Sequence, residues 1–472
     1  MKNFRAAAGG LMAILCAVFL QSCGGGYHAP SGAMTTPTSI SISVNPTTVI
    51  AGRSTTLMWS ATSGTACTAS GAWSGTEPDS GTMTVTPTTA GTETFTLTCN
   101  GGIYSSSSAS ATLTVTAASV ATVKELVSDL AVGTAGTVSQ DPNLVNPWGL
   151  SIAPAPAKNP AWVANNGKQT STLYDGNGVL FPAAGPLVVN LVAGVVPFNP
   201  TGIVFNSSAT DFIVNAGGKT GSSAFIFDGE GGMIAGWSPG VDLTHAVTMY
   251  TDTAGADYKG LAIAANNGAL FLYATDFHNN KIDVFNTAFL KQASSATAFT
   301  FADPSIPAGY APFGIQAVPG SGTAGATQIY VTYAKQLAPA NTANAIGAGL
   351  GYVDIYDTNG KLIKQLIAAG ALNAPWGLAV APADFGTFSG ALLVGNFGDG
   401  MINAFDAAAG TPLGALADTN NSTAHGAPGL WGIAFGNDST TAPNQPHNTL
   451  FFTSGINGGA DGVYGRIDLT TP

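Results

Sequence analysis

Charge is what this sequence lacks most. Only 8% of its 472 residues are charged, and the balance is acidic, with 14 Lys+Arg against 25 Asp+Glu and a formal net charge of −11. A surface of that sign repels phosphate backbones and anionic headgroups, so nucleic acid is excluded as a partner. Histidine is scarce too: there are five, none at the His-x-x-x-His spacing of a metal site. There is no Gly-x-Ser-x-Gly elbow to mark a nucleophile, although a triad assembled in space leaves no such trace. Past the first 22 residues no uninterrupted apolar run reaches 18 residues, which excludes a helical membrane span there.

Glycine is abundant instead, at 61 residues, amid much Ser, Thr and Ala. That is the profile of a β-rich, turn-rich extracellular protein, long enough for two domains and a leader. One phrase recurs six times, a small or aromatic residue followed by Gly-(Leu/Ile), at Gly149, Gly202, Gly260, Gly314, Gly377 and Gly432, with intervals of 53, 58, 54, 63 and 55 residues. Repeats of this length, each holding several short strands, predict a β-propeller, since no blade buries its faces until its neighbours stack on it. The expected fold is therefore all-β, a six-bladed propeller over 118–472 preceded by a smaller β domain.

Each copy carries a second anchor, an apolar or aromatic residue and then Asp or Asn, at Asp175, Asp228, Asn286, Asp357, Asp406 and Asp468. From the Gly the distance is 26 residues in the first three copies, then 43, 29 and 36. These residues are expected to close turns at the end of a third strand, because Asp and Asn bond their own backbone. Second strands are expected at Ala161, Phe212, Ala269, Gln328, Ala391 and Leu450. The last copy is about one strand short, and Val123–Leu130 is placed to supply it, closing the ring from both chain ends.

The leader reads as a signal sequence: Lys2 and Arg5, then the apolar stretch Leu11–Leu20. Leu20-Gln21-Ser22-Cys23 resembles the bacterial lipobox, which implies cleavage after residue 22, acylation of Cys23 and anchoring in a membrane, the outer one where Gly24 follows the Cys. Residues 1–22 are then the signal peptide and 23–38, rich in Gly, Ser, Thr and Pro, a flexible tether. Two cysteines remain, Cys67 and Cys99, and in an exported chain such a pair reads as a disulfide. Around them, residues 39–117 alternate apolar and Thr/Ser positions in short runs, as half-buried antiparallel strands do, which points to an immunoglobulin-like sandwich. Leu57-Met-Trp-Ser60, Ala66-Cys-Thr-Ala-Ser-Gly71 and Phe95-Thr-Leu-Thr-Cys99 are similar to bacterial immunoglobulin-like surface modules, which often act as stalks.

The six-copy region resembles the propeller superfamily of NHL-repeat proteins and gluconolactonase-like calcium hydrolases, and an uncharacterised secreted bacterial family, some of whose members end in a PEP-CTERM tail that this chain lacks. The lactonase likeness implies Asn or Asp metal ligands just before the strand A glycines. Those six positions hold Trp148, Thr201, Lys259, Phe313, Trp376 and Trp431, and none is a carboxylate or carboxamide, so this ring forms no calcium site. A second ring, at the ends of the second strands, holds Asn165, Asn215, Asp276, Tyr333, Asn396 and Ser454, with His278 and Asp399 nearby. Asn165, Asn215, Asp276 and Asn396 are weak metal candidates beside their ordinary role in turns, and no cofactor is expected.

The first ring is the better candidate for ligand binding. Four large aromatics and one lysine at a channel mouth suit a glycan or small molecule, or simply plug the channel. Residues 335–351, a 17-residue excess in the fourth copy, are placed to cover that mouth. The function expected is binding of a glycan, small molecule or protein partner by an envelope lipoprotein. The alternatives are a hydrolase or lyase of the gluconolactonase type and a structural envelope protein.

Overall fold

The computed structural model describes residues 39–62, 67–100, 106–132, 139–154, 157, 159–191, 197–295, 297–319, 326–416 and 429–470. The leader, the lipobox Cys23 and the tether lie outside them. Among the described residues the fold is all-β, with three single 3-10 turns. Two compact units divide the chain at Val115 and Thr116.

The first unit is a sandwich. A three-stranded sheet of Ile40–Asn45, Thr55–Ala61 and Ser80–Val85 faces a five-stranded one built around Cys67–Gly71, Gly91–Asn100 and Ser106–Thr116. Burial alternates along the strands as the Thr/Ser alternation requires, so Leu57, Trp59, Phe95, Leu97 and Leu113 share one core. Trp59 and Trp73 meet edge to face at 4.9 Å in its middle. Cys67 and Cys99 are bonded, and they stand directly opposite each other on neighbouring strands of the same sheet. Antibody domains instead join the two sheets.

The second unit is a ring of six sheets among the described residues. Strand A of each, innermost, is Pro147–Ser151, Pro200–Phe205, Tyr258–Asn266, Tyr310–Val318, Pro375–Val380 and Leu430–Phe435. Each strand A neighbours the next, and the sixth returns to the first. Strand B is Ala161–Asn165, Phe225–Gly229, Ala269–Asp276, Gln328–Lys335, Leu392–Asn396 and Leu450–Ile456. Val120–Ser128 pairs antiparallel with Asp461–Thr470, so the sixth blade takes its outer strand from before the first. Ser128 Oγ donates to the Gly462 carbonyl at 2.8 Å, and Gly462 N–H donates to Asp129 at 2.8 Å, fastening that closure.

The recurring phrase is a β-bulge. In all six blades the A–B register slips at the residue before the glycine or at the glycine itself. A Cβ on any of the six glycines would fall within 3.0 Å of a backbone oxygen or nitrogen of the next blade, Gly149 against Thr201 and so round to Gly432 against Trp148. None of the six has a positive φ, so close approach of backbones, rather than backbone freedom, requires glycine.

Blade 2 departs from the expected pattern. Phe212 does not begin strand B: Ile213–Ala216 pairs with Lys219–Ser222 as a separate hairpin across Gly217-Gly218, both at positive φ. Strand B is instead Phe225–Gly229. Asp228 therefore lies inside a strand and closes no turn. Asp468 also lies within a strand, paired with Arg466 and Lys124. The other four anchors do close turns: Asp175, Asn286, Asp357 and Asp406 each accept from two backbone N–H groups just downstream.

Candidate functional site

The bulges turn the residues before the glycines into the channel. Trp148 and Trp431 stack with centroids 3.4 Å apart and planes 17° from parallel. Trp376 stands edge-on to both, at 6.3 and 5.8 Å. Phe313 and Phe397 close on Trp431 at 5.9 and 4.4 Å, and Phe277 backs Phe313 at 5.1 Å. These rings, all buried except the half-buried Phe397, form one cluster, a plug across the channel. Trp376 Nε1–H crosses it to donate to the Lys259 carbonyl at 2.8 Å. On the far side the described residues leave an apolar well of about 500 Å³, lined by Leu150, Val204, Ile263, Val318, Val380 and Phe435 among others.

On the near side of the plug lies a cavity of about 550 Å³. Its lining includes Trp148, Trp431, Phe397, Lys259, Glu230 and Asn146, a rim of Gly455 and Asn457–Gly459, and Thr342, Ala343 and Asn344 of the fourth-blade insert. The insert is fastened on both sides, His278 Nδ1–H donating to the Ala340 carbonyl at 2.9 Å and Gly347 N–H to Asn373 Oδ1 at 2.7 Å. It is a strap from blade 3 to blade 5 with its middle on the cavity.

Lys259, with 4% of its side chain exposed, is the cation of the site. Its Nζ lies 2.5 Å from Glu230 Oε1, 3.1 Å from Asp257 Oδ1 and 5.4 Å from the centre of the Trp148 ring. Burial pushes the Asp257 carboxyl up to about 7, with Lys259 opposing and Glu230 reinforcing the rise. Glu230 Oε2 also accepts from Asn166 Nδ2 at 3.1 Å. Three donors near the cavity are buried and have no acceptor among the described residues: the indole N–H of Trp148, that of Trp431, and the Asn344 side-chain amide.

Of the six residues of the first ring, Trp148, Lys259 and Trp431 line the cavity, while Phe313 and Trp376 pack beneath it. Thr201 is fully buried, its hydroxyl 2.9 Å from Asp228 Oδ1 and 2.8 Å from the Tyr258 carbonyl. The second ring does not converge. Asn215 is exposed on the blade 2 hairpin, and the register puts Gly229 in its place. Asp276 holds its own turn, accepting from Asn279 N–H and Nδ2 at 3.2 and 2.8 Å and from Asp257 N–H at 3.2 Å. Asn396 accepts from Asn373 N–H and donates to the Ala371 carbonyl, and Asn165 donates to Thr170 and Thr172. Tyr333 bonds Tyr356 behind the sheet. Sequence reading missed Glu230, which follows strand B of blade 2 and was hidden by the misplaced strand; the Gly217-Gly218 turn was the signal.

Fold and site together define a six-bladed β-propeller with a plugged channel and a strapped cavity. No family model matches the chain. It is 31% identical over 344 residues to an uncharacterized protein of Acanthamoeba polyphaga mimivirus, covering 69% of this chain and 76% of that one, and 32% identical over 272 residues to a second, covering 56% and 67%. The chain belongs to the family of these mimivirus proteins. Among solved structures it is similar to an auxiliary nutrient binding protein of Bacteroides ovatus (10% identity, 92% of this chain and 100% of that chain, TM-score 0.39) and to a glucose dehydrogenase (12%, 73% and 98%, TM-score 0.42). Likenesses at this level leave the site to be read from its own geometry.

Proposed function

We propose that this protein is a binding propeller that takes a glycan segment or other small polar molecule into the cavity above the Trp148–Trp431 stack, presented from the cell envelope by a lipid on Cys23. The single observation that carries the reading is the cavity itself. At about 550 Å³ it is of ligand size, with an aromatic floor and a few fixed polar groups, Lys259 and Glu230, at its side. The envelope location rests on the leader and lipobox, and a disulfide in the first unit fits an oxidising compartment.

The test is thermal unfolding of the purified protein against neutral oligosaccharides, sugar acids, lactones and calcium. A ligand at 100 times its dissociation constant adds about 2.7 kcal/mol. A shift that Trp431→Ala abolishes supports the site. A calcium shift together with lactone turnover favours the hydrolase instead, and no shift from any small molecule overturns the reading in favour of a protein partner or a structural role.

A further inference from the structure

We infer that the far-side well is a second binding site, independent of the near-side cavity, and that it takes an uncharged amphiphile with a hydrocarbon body and a hydroxyl head. The repeat itself builds the well. A Leu or Ile follows every bulge glycine, and Leu150, Ile203, Leu261, Leu378 and Ile433 of that set line it. Further along each strand A comes a second tier, Ile152, Phe205, Ile263, Val318, Val380 and Phe435, one from each blade. Five of these are half-buried and Val380 is 37% exposed, so every blade leaves one large apolar side chain partly open at the same mouth. The well is blind. Between it and the plug lies only a space of about 40 Å³, lined by Trp376 and four of the bulge glycines, too small for anything but water.

Size and chemistry narrow the class. A well of about 500 Å³ is of ligand size, and one closed at its floor and walled by six blades admits a molecule end-on rather than a protein surface. None of the described residues that line it is ionisable, so a charge carried down to the floor would lose its water with nothing to answer it. A hydrocarbon body instead leaves water and gains contact with both aliphatic tiers. Among the described residues, the polar side chains of the lining are Ser151, Ser207 and Gln316. Peptide groups on the inner edges of the A strands join them, since each of those strands ends its sheet. Donors and acceptors together suit a hydroxyl, which is both, better than an ammonium or a carboxylate, which is only one.

Decanol, decanoate and decylamine share one chain and differ only in the head, and displacement of the neutral fluorophore N-phenylnaphthylamine from the purified full chain reads their binding. The expected result is that decanol displaces the fluorophore and that the two charged compounds need roughly tenfold higher concentrations. Val380→Asp sets a carboxylate against the hydrocarbon at a position whose exposure spares the fold, and should weaken decanol roughly tenfold at an unchanged melting temperature. Val380→Leu should bind as wild type does. Glu230→Gln, in the near-side cavity, should leave decanol binding unchanged. If Val380→Asp binds decanol as tightly as wild type, or Glu230→Gln weakens it, the chain lies elsewhere and the site is overturned. Decanoate or decylamine binding as tightly as decanol overturns the uncharged class while the well stands. If no decyl compound binds, the well is a water-filled shaft and the inference falls, with the proposed function of the near-side cavity untouched.

Discussion

Placing alanine at the six bulge glycines should reveal the ring by unequal damage. At Gly314 a new Cβ meets the Trp376 carbonyl oxygen at less than any normal contact distance, with the carbonyl carbon and Thr332 Oγ1 behind it. At Gly260 it meets the Phe313 oxygen at 3.0 Å and the next atoms only at 3.4 Å. Overpacking a tight site costs about 1–3 kcal/mol. Backbone of an inner strand yields less than a side chain, so Gly314→Ala belongs at or above the top of that range. Alanine also lowers the entropy of the unfolded chain by an amount that stabilises by about 0.4–1 kcal/mol. Gly260→Ala should therefore stay within about 1 kcal/mol of wild type. A unit spanning residues 116–472 has an unfolding entropy that converts 1 kcal/mol into roughly 1.3 °C. The expected falls are thus about 4 °C for Gly314→Ala and no more than about 1 °C for Gly260→Ala, measured by circular dichroism on the full chain. Equal falls, or a Gly314→Ala protein melting like wild type, would refute the claim that close approach is why these positions are glycine.

Two further outcomes test the architecture. Removing residues 118–132 takes away the outer strand of blade 6 and bares the edge of Asp461–Thr470, so cooperative unfolding of the propeller should be lost; an unchanged transition would show that the ring closes without it. Cys67→Ser with Cys99→Ser opens a loop of sequence separation 32, which by the chain-entropy model costs the sandwich about 3–4 kcal/mol. The sandwich transition should fall and the propeller transition should not, and a fall in both would contradict the division into two units.

The sequence made the ring legible because each blade brings backbone of the next against the same bulge position, closely enough at most of the six that glycine is favoured there. It made the closing strand legible because Val123–Leu130 reads as a strand lying before the first copy. Blade 2 was misread because the distance from Gly202 to Asp228 is 26 residues, as in its neighbours, yet a hairpin fills the gap and moves Asp228 from strand end to strand interior. Periodicity in sequence cannot separate these cases; the Gly-Gly turn can. For the site, the residues around the channel were found, but not their depth. Stacking of Trp148 on Trp431 sinks Phe313 and Trp376 out of reach, and side-chain size, which decides what a plug leaves open, is not a periodic signal. Glu230 follows no repeat at all.

Asp228 is where a departure from the repeat has a measurable consequence. In blades 4 and 6 the corresponding strand B position is threonine, and Thr332 and Thr453 each accept from the N–H of the bulge glycine, at 2.8 and 2.9 Å. Thr453 then donates to the Trp148 carbonyl of the next blade at 2.6 Å. In blade 2 the acceptor for Gly202 N–H is Asp228, at 2.6 Å, and the step to the next blade is made by Thr201. One hydroxyl proton serves one acceptor, so the relay is complete when Asp228 is protonated and donates to Thr201 while Thr201 donates to Tyr258. Full burial pushes the Asp228 carboxyl up to about 7, against an unfolded value near 4. The native state therefore holds a proton that the unfolded chain releases between those values, and stability falls as pH rises from about 4 to 7, by up to about 4 kcal/mol from this group. Asp257 and Asp354, also pushed up to about 7 by burial, add to the same trend. Asp228→Asn keeps an acceptor for Gly202 and cannot ionise. Its melting temperature relative to wild type should rise by roughly 4 °C between pH 4.5 and pH 7.5. A constant difference across that interval would mean that Asp228 is ionised in the folded protein, and that the relay through Thr201 is held by a carboxylate after all.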